Sequence, residues 1–215
     1  MLKSLPSISP KDTIARNAVE EALGLTLLVQ NPGIYEQLRV EFFVFYTLFA
    51  QNTRDEFSKK ILFQIHDKFR SSGYVYDLVQ YEQFFYKHKK ENFNAMIELL
   101  LLLKRGEIEN VEYGEFLKIR RIGYKSAALL YNEFFQSDTY PVVDINVYRG
   151  YLSLMSVYEL PKLTANQLFL ELLALNNFCD SNIGFELSSL LYSYRKYLKL
   201  KLKSDGFPRA RPVIL

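Results

Sequence analysis

Glycine and proline are scarce in this chain, which limits how often its backbone can be interrupted. The 215 residues include nine glycines and seven prolines. Because these two residue types are the strongest breakers of regular structure, most of the chain can continue in long segments. A hydrophobic fraction of 49% with 24% charged residues is typical of a globular protein and not of a disordered one. We therefore expect an all-α fold, in one large domain or two small helical halves.

Apolar residues recur at helical spacing between the few turn signals. Phe57, Ile61, Ile65 and Phe69 follow one another every fourth residue, which predicts one buried helix face. Asp144 precedes a further apolar stretch and is suited to cap a helix N-terminus. The pattern predicts helices at about 10–30, 35–50, 57–69, 90–104, 113–118, 124–135, after 144, 164–175 and 182–203.

Cysteine and histidine are too few for most metal sites. A single Cys179 excludes a disulfide framework and any four-cysteine zinc or iron–sulfur site within the chain. His66 and His88 lie far apart in the sequence and have no cysteine near them, so we expect no metal and no cofactor. No apolar run approaches the roughly 20 residues of a membrane span, and no targeting segment is visible. We expect a cytoplasmic monomer without a membrane partner, associated with the nucleoid if it is prokaryotic.

Charge is distributed unevenly along the chain. From Arg195 to Leu215 there are seven basic residues and one acid, a net charge of +6. The overall charge is +3, so the other residues together carry −3. A basic end with interspersed tyrosines suits contact with a phosphate backbone, and it equally suits a solvated final helix.

The stretch from Phe116 to Arg149 contains the residues best suited to chemistry. Its pattern predicts a short helix, a tight turn containing Gly123 and a new helix that begins at once. Unpaired amides at such a helix start favour a phosphate. Lys125 falls in the first turn, where the helix dipole favours a neutral, nucleophilic amine. Asp144 lies 19 residues later, at another predicted helix start.

This stretch resembles the helix-hairpin-helix DNA glycosylases, the superfamily of endonuclease III. The hairpin of that family has the form Leu-Pro-Gly-hydrophobic-Gly-x-Lys-x-Ala, followed by a loop and an apolar-Val-Asp segment. Arg120 stands where the family usually has proline, and Arg121 replaces the first hairpin glycine. Arginine would be strained there if the position needs a positive φ. The matching residues are Ile119, Ile122, Gly123, Lys125, Ala127, Val142, Val143, Asp144, Val147 and Arg149.

Two further segments are similar to the family. Leu48 to Thr53, Leu-Phe-Ala-Gln-Asn-Thr, resembles a segment whose first glutamine enters the DNA stack where the target base leaves, so the resemblance implies this role for Gln51. The plainer interpretation of Gln51 is a polar cap at a helix end. A weaker match is Phe85-Tyr86 with Lys89. The single cysteine implies a member without the four-cysteine iron–sulfur loop.

The resemblance implies a base-excision-repair glycosylase with abasic-site lyase activity on damaged or mispaired double-stranded DNA. Lys125 would attack C1′ and Asp144 would stabilise the positive sugar. The fold would have two helical subdomains flanking a DNA-binding cleft, with 34–138 as the central subdomain and 1–33 plus 139–215 as the terminal one. The implied DNA-binding residues are Gln51, Arg121, Gly123, Tyr124, Ser126 and Asn146, with Tyr148 a further candidate.

The substrate is less sharply indicated than the chemistry. Asp144-Ile145-Asn146-Val147 looks like the adenine-removing mismatch branch, but that branch lacks the lysine and has glutamate where this chain has Thr47. We rank oxidised bases first, with pyrimidine lesions slightly ahead of 8-oxoguanine, and keep a T/G or U/G mismatch as an alternative. Two other classes stay open: a non-catalytic helix-hairpin-helix DNA-binding module and a helical protein-interaction domain.

Overall fold

The architecture is helical throughout the part of the chain that the structure describes. The computed structural model describes residues 10–51, 53–74, 77–85, 89–104, 111–135, 137–179 and 181–204. No strand occurs in these residues, so the predicted all-α class is confirmed. The elements are α1 (Pro10–Gln30), α2 (Pro32–Phe49), α3 (Asp55–Ser71), a 3₁₀ helix (Leu78–Phe84), α4 (Lys90–Lys104), α5 (Tyr113–Lys118), α6 (Tyr124–Phe135), α7 (Ile145–Tyr158), α8 (Ala165–Cys179) and α9 (Ile183–Ser204).

The chain divides into two compact units, which we call the N-terminal unit (Lys11–Ser137) and the C-terminal unit (from Asp138 onward). This division groups α1 with α2–α6, whereas the sequence-based prediction placed residues 1–33 with the terminal subdomain. Two ion pairs join α1 to other helices of the N-terminal unit: Arg16 pairs with Glu133 of α6, and Glu21 pairs with Lys59 of α3. Glu133 also pairs with Arg39 of α2 at 2.7 Å.

The N-terminal unit is built around α2, which is buried on most of its faces as its sequence predicts. The rings of Phe45 and Phe49 stack with centroids 5.0 Å apart, and Phe85 packs against both edge-on. Tyr81 of the 3₁₀ helix is fully buried, and its hydroxyl donates to Glu41 at 3.2 Å. This aromatic cluster fixes the end of α2 and therefore the position of the residues that follow it, including Gln51.

The C-terminal unit packs α9 closely on α7 and α8. A Cβ added at Gly150 of α7 would lie 2.3 Å from the carbonyl oxygen of Leu191, and one at Gly184 would lie 1.8 Å from that of Leu172. Only glycine allows helices to approach so closely at these points. No helix in the described ranges has both the length and the apolarity required to cross a membrane.

Several sequence-based predictions fall on residues outside this description. They concern Tyr86, His88 and the last part of the basic end, including Arg209 and Arg211. For the preceding basic stretch at the end of α9, 196–204, only the helix itself is described.

Candidate functional site: the turn before α6 and the start of α7

The turn between α5 and α6 has arginine in a backbone conformation that favours glycine. The amide of Ile122 donates to the carbonyl of Ile119 at 3.1 Å, so Arg120 and Arg121 are the central turn residues. Arg121 has φ +76°, whereas Arg120 is not among the positive-φ residues. This is the pattern of a type II turn, in which glycine is preferred at the third position. The condition for strain at Arg121 is therefore met.

This strain predicts an unusual stability effect. Arg121→Gly is expected to raise the free energy of unfolding by roughly 0.5–1 kcal/mol, because relief of the left-handed conformation exceeds the added chain entropy of glycine. Urea unfolding of the variant measures it. Arg120→Gly, at the neighbouring position without a positive φ, is the control and should lower stability. If both variants lower the free energy of unfolding equally, the backbone at Arg121 is not strained.

Gly123 precedes α6. Neither its backbone conformation nor packing against the rest of the described chain requires a glycine at this position. It is exposed, it is not among the positive-φ glycines, and a Cβ placed there would meet no atom within 4 Å. A glycine in such a place leaves the backbone open to close approach by another molecule. Lys125 is the second residue of α6 and is half-buried. Tyr124 is also half-buried, and its carbonyl accepts a hydrogen bond from Tyr113 at 3.0 Å.

Gln51 lies against this turn although it is 70 residues away along the chain. Its side-chain Nε2 donates to the carbonyl of Arg121 at 3.2 Å and to Oγ of Ser126, also at 3.2 Å. Its Oε1 accepts from Nδ2 of Asn92 at 3.0 Å. The structure thus brings together three predicted site residues, Gln51, Arg121 and Ser126. The side chain of Gln51 binds the turn and not the end of α2, which differs from the plain cap considered above.

The end of α2 is capped by Lys89 instead. The Lys89 ammonium donates to the carbonyls of Phe49 and Gln51 and to Oγ1 of Thr53, and it lies 4.6 Å from the centroid of the Phe49 ring. Lys89 is 7% exposed, and burial lowers the pKa of its side chain. In the sequence, Lys89 belongs to the weakest of the three matches to the family, and no role was predicted for it.

Two residues at the start of α4 also belong to the site and were missed from the sequence. Glu91 pairs with Arg120 at 2.7 Å and lies 3.6 Å from Nε of Arg121. Asn92 is 2% exposed, and its Oδ1 accepts from Arg121 Nε at 3.4 Å. One sequence feature could have indicated Asn92. It lies three residues after Lys89 near the start of a predicted helix, and residues at this spacing share one helix face.

Asp144 caps α7 in the C-terminal unit, as its position predicts. Its Oδ1 accepts from the amides of Asn146 at 2.7 Å and Val147 at 2.8 Å, and its Oδ2 accepts from Nδ2 of Asn146 at 3.3 Å. Asp144 is 4% exposed. Tyr148, half-buried, donates through its hydroxyl to the carbonyl of Leu163 at 3.1 Å. Asp144 and Asn146 thus form one group, in a different unit from Lys125.

Within the described residues, no three His, Cys, Asp or Glu side chains are placed to hold a metal ion. Comparison of the chain with protein-family models, with curated proteins and with solved structures finds no match. The resemblance to glycosylases therefore depends on the three sequence segments quoted above.

Proposed function

We propose that this protein is a DNA glycosylase with abasic-site lyase activity that removes an oxidised base from double-stranded DNA. One observation carries the proposal: the three segments that resemble the family converge on Gln51. Its side chain contacts the turn before α6 at Arg121 and Ser126, and its carbonyl accepts from Lys89. Chance matches in segments so far apart in sequence have no reason to meet in the fold.

DNA would be held at the turn before α6. The backbone at Gly123 is open to close approach, and the amides at the N-terminus of α6 present the positive end of the helix dipole to a phosphate. The side chain of Arg121 is 44% exposed beside this backbone and supplies a guanidinium for the same phosphate. Binding of this kind is independent of sequence, which suits an enzyme that searches DNA for damage.

Chemistry would follow from Lys125 and Asp144. The damaged base leaves the stack first, which costs a few kcal/mol. Loss of the base builds positive charge on the deoxyribose, and the Asp144 carboxylate stabilises that charge. The neutral amine of Lys125 attacks C1′ as the bond from C1′ to the base breaks, and the base leaves with a proton from the new ammonium. The nitrogen lone pair then breaks the bond from C1′ to O4′, which takes up a proton, and a Schiff base results. Loss of a C2′ proton expels the 3′ phosphate by β-elimination and cleaves the strand. The lysine is what makes the expected activity bifunctional.

A non-catalytic DNA-binding module is the second candidate, and one observation favours it. Asp144 already has a structural task, since its side chain accepts from two backbone amides of α7. A capping aspartate needs no catalytic role to account for its presence.

A panel of duplexes with one lesion each separates the two candidates. The panel includes oxidised pyrimidines, 8-oxoguanine, T/G and U/G mismatches and an undamaged control. We expect strand cleavage at one or more oxidised bases, without added alkali, and none in the control. Salt-dependent binding of every duplex without any cleavage would contradict the enzyme and support the binding module.

A further inference from the structure

Lys89 differs in burial from the other cationic side chains that the structure describes. Among the lysines and arginines whose side chains are described, it is the one that is buried. Removing an ammonium from water is costly unless each of its protons finds an acceptor. Lys89 has three protons and three acceptors, the carbonyls of Phe49 and Gln51 and the hydroxyl of Thr53. All three acceptors belong to one short segment, so the buried charge holds the chain from Phe49 to Thr53.

The electrostatics of α2 favour this arrangement. The helix ends at Phe49, and its last carbonyls carry the negative end of the helix dipole. A cation there satisfies carbonyl groups that no following turn of helix reaches. Ala50, Gln51 and Thr53, which follow Phe49, are not helical themselves.

Asn92 holds the side chain of Gln51, and Lys89 holds the backbone carbonyl of the same residue. Nδ2 of Asn92 donates to the carbonyl of Leu48 at 2.9 Å and to Oε1 of Gln51 at 3.0 Å. Gln51 is thus held by Lys89 at its carbonyl, and at its side-chain amide by Asn92, by the carbonyl of Arg121 and by Ser126. Only the side-chain contacts involve the atoms that the proposed function would present to DNA.

We propose that Lys89 is a positioning residue, which holds the segment from Phe49 to Thr53 so that Gln51 is presented to the DNA stack when the damaged base leaves. This inference rests on the proposed function, because the role of Gln51 does. It predicts that base excision and attack on an abasic site depend differently on Lys89, which the proposed function alone does not predict. Removal of a base requires extrusion of that base, whereas attack of Lys125 on an existing abasic site has no base to extrude. Loss of Lys89 should therefore impair the first reaction and spare the second.

The test uses Lys89→Met, which keeps an apolar stem of similar length and removes the ammonium. Lys90→Met is the matched control, since Lys90 is the adjacent lysine and is exposed. Without DNA, amide hydrogen exchange of the peptide that covers 50–53 should rise at least tenfold in Lys89→Met and stay unchanged in Lys90→Met. This measurement depends on the clamp alone and not on any activity.

The second measurement compares two rates in the same preparation of the full-length protein. One is excision from a lesion duplex, and the other is borohydride trapping on a duplex with a preformed abasic site. We expect the ratio of excision to trapping to fall at least tenfold in Lys89→Met. A merely unfolded or unstable variant would lose both rates together. Gln51→Ala should lower the same ratio, and the double variant should be no worse than the more impaired single one.

Thr53→Val provides a milder variant if Lys89→Met does not fold. It removes one acceptor and keeps both carbonyls, so a severalfold drop in the same ratio is expected. If Lys89→Met leaves amide hydrogen exchange at 50–53 unchanged, or leaves the ratio of excision to trapping unchanged, Lys89 is not a positioning residue. The proposed function would still stand in that case, provided that the wild-type protein excises a lesion. If the wild-type protein excises no lesion, both the proposed function and the positioning role of Lys89 are wrong. This result differs from the two results for Lys89→Met.

Discussion

Replacing Lys125 with alanine is expected to abolish covalent trapping on abasic DNA, with a loss of at least about 10³-fold in trapping rate. In the proposed mechanism this amine is the atom that forms the bond to C1′, so no other side chain can substitute for it. The measurement is borohydride reduction of the protein with a duplex containing one abasic site, followed by separation of the covalent complex. Affinity for the same duplex should fall much less, because the amides at the start of α6 remain.

Lys118→Ala is the matched control for this experiment. Lys118 ends α5, on the other side of the same turn, and its side chain is 71% exposed in an ion pair with Glu115. Its removal should leave trapping within about twofold of the wild type, since exposed pairs of this kind contribute little. Trapping that survives Lys125→Ala would show that another amine performs the attack.

Replacing Asp144 with asparagine separates its capping of α7 from its proposed electrostatic role. Asparagine caps helices about as well as aspartate does, so the free energy of unfolding should change by less than about 0.5 kcal/mol. The variant loses the carboxylate charge, and base excision should slow by about 10²–10³-fold, the usual effect of removing one electrostatic stabiliser. Single-turnover excision and urea unfolding of the same preparation measure the two effects.

Two further variants complete this comparison. Asp144→Ala removes the cap as well as the charge, and it should additionally destabilise the fold by about 1 kcal/mol. Asp77→Asn alters another capping aspartate, whose side chain accepts from the amide of Val79 at 3.2 Å, and it should leave excision unchanged. If Asp144→Asn excises at the wild-type rate, Asp144 is a cap and nothing more.

The helices of this protein were predictable largely because its turn signals are sparse and local. The predicted helix at about 10–30 is followed by the turn-forming residues Asn31-Pro32-Gly33. In the structure α1 ends at Gln30, and the side chain of Asn31 then caps α2 by accepting from the amide of Ile34. The 3₁₀ helix from Leu78 to Phe84 was missed, because seven residues with three residues per turn give no helical apolar pattern. Asp77, which caps it, was the one local sign.

The sequence predicts the local backbone of the candidate site better than the contacts between its distant residues. Gly123, Lys125 and Asp144 fall in one stretch, and their placement at two helix starts follows from local turn chemistry. The contact of Gln51 with Ser126 joins residues 75 apart, and that of Asn92 with Leu48 joins residues 44 apart. Such contacts depend on how α2, α4 and α6 pack against one another. The apolar periodicity of a single helix does not predict this packing. For the same reason the sequence alone indicated no role for Lys89, because its acceptors lie 36 to 40 residues away along the chain.

The most direct test of the account is to find the residue that carries the sugar after reduction. Wild-type protein is trapped with borohydride on a lesion duplex, treated with nuclease and digested with trypsin. An adduct on Lys125 blocks cleavage there, so the account predicts one modified peptide from Ile122 to Arg149, in which Lys125 is the sole lysine. An adduct on a different lysine, or no adduct from any lesion in the panel, would contradict it.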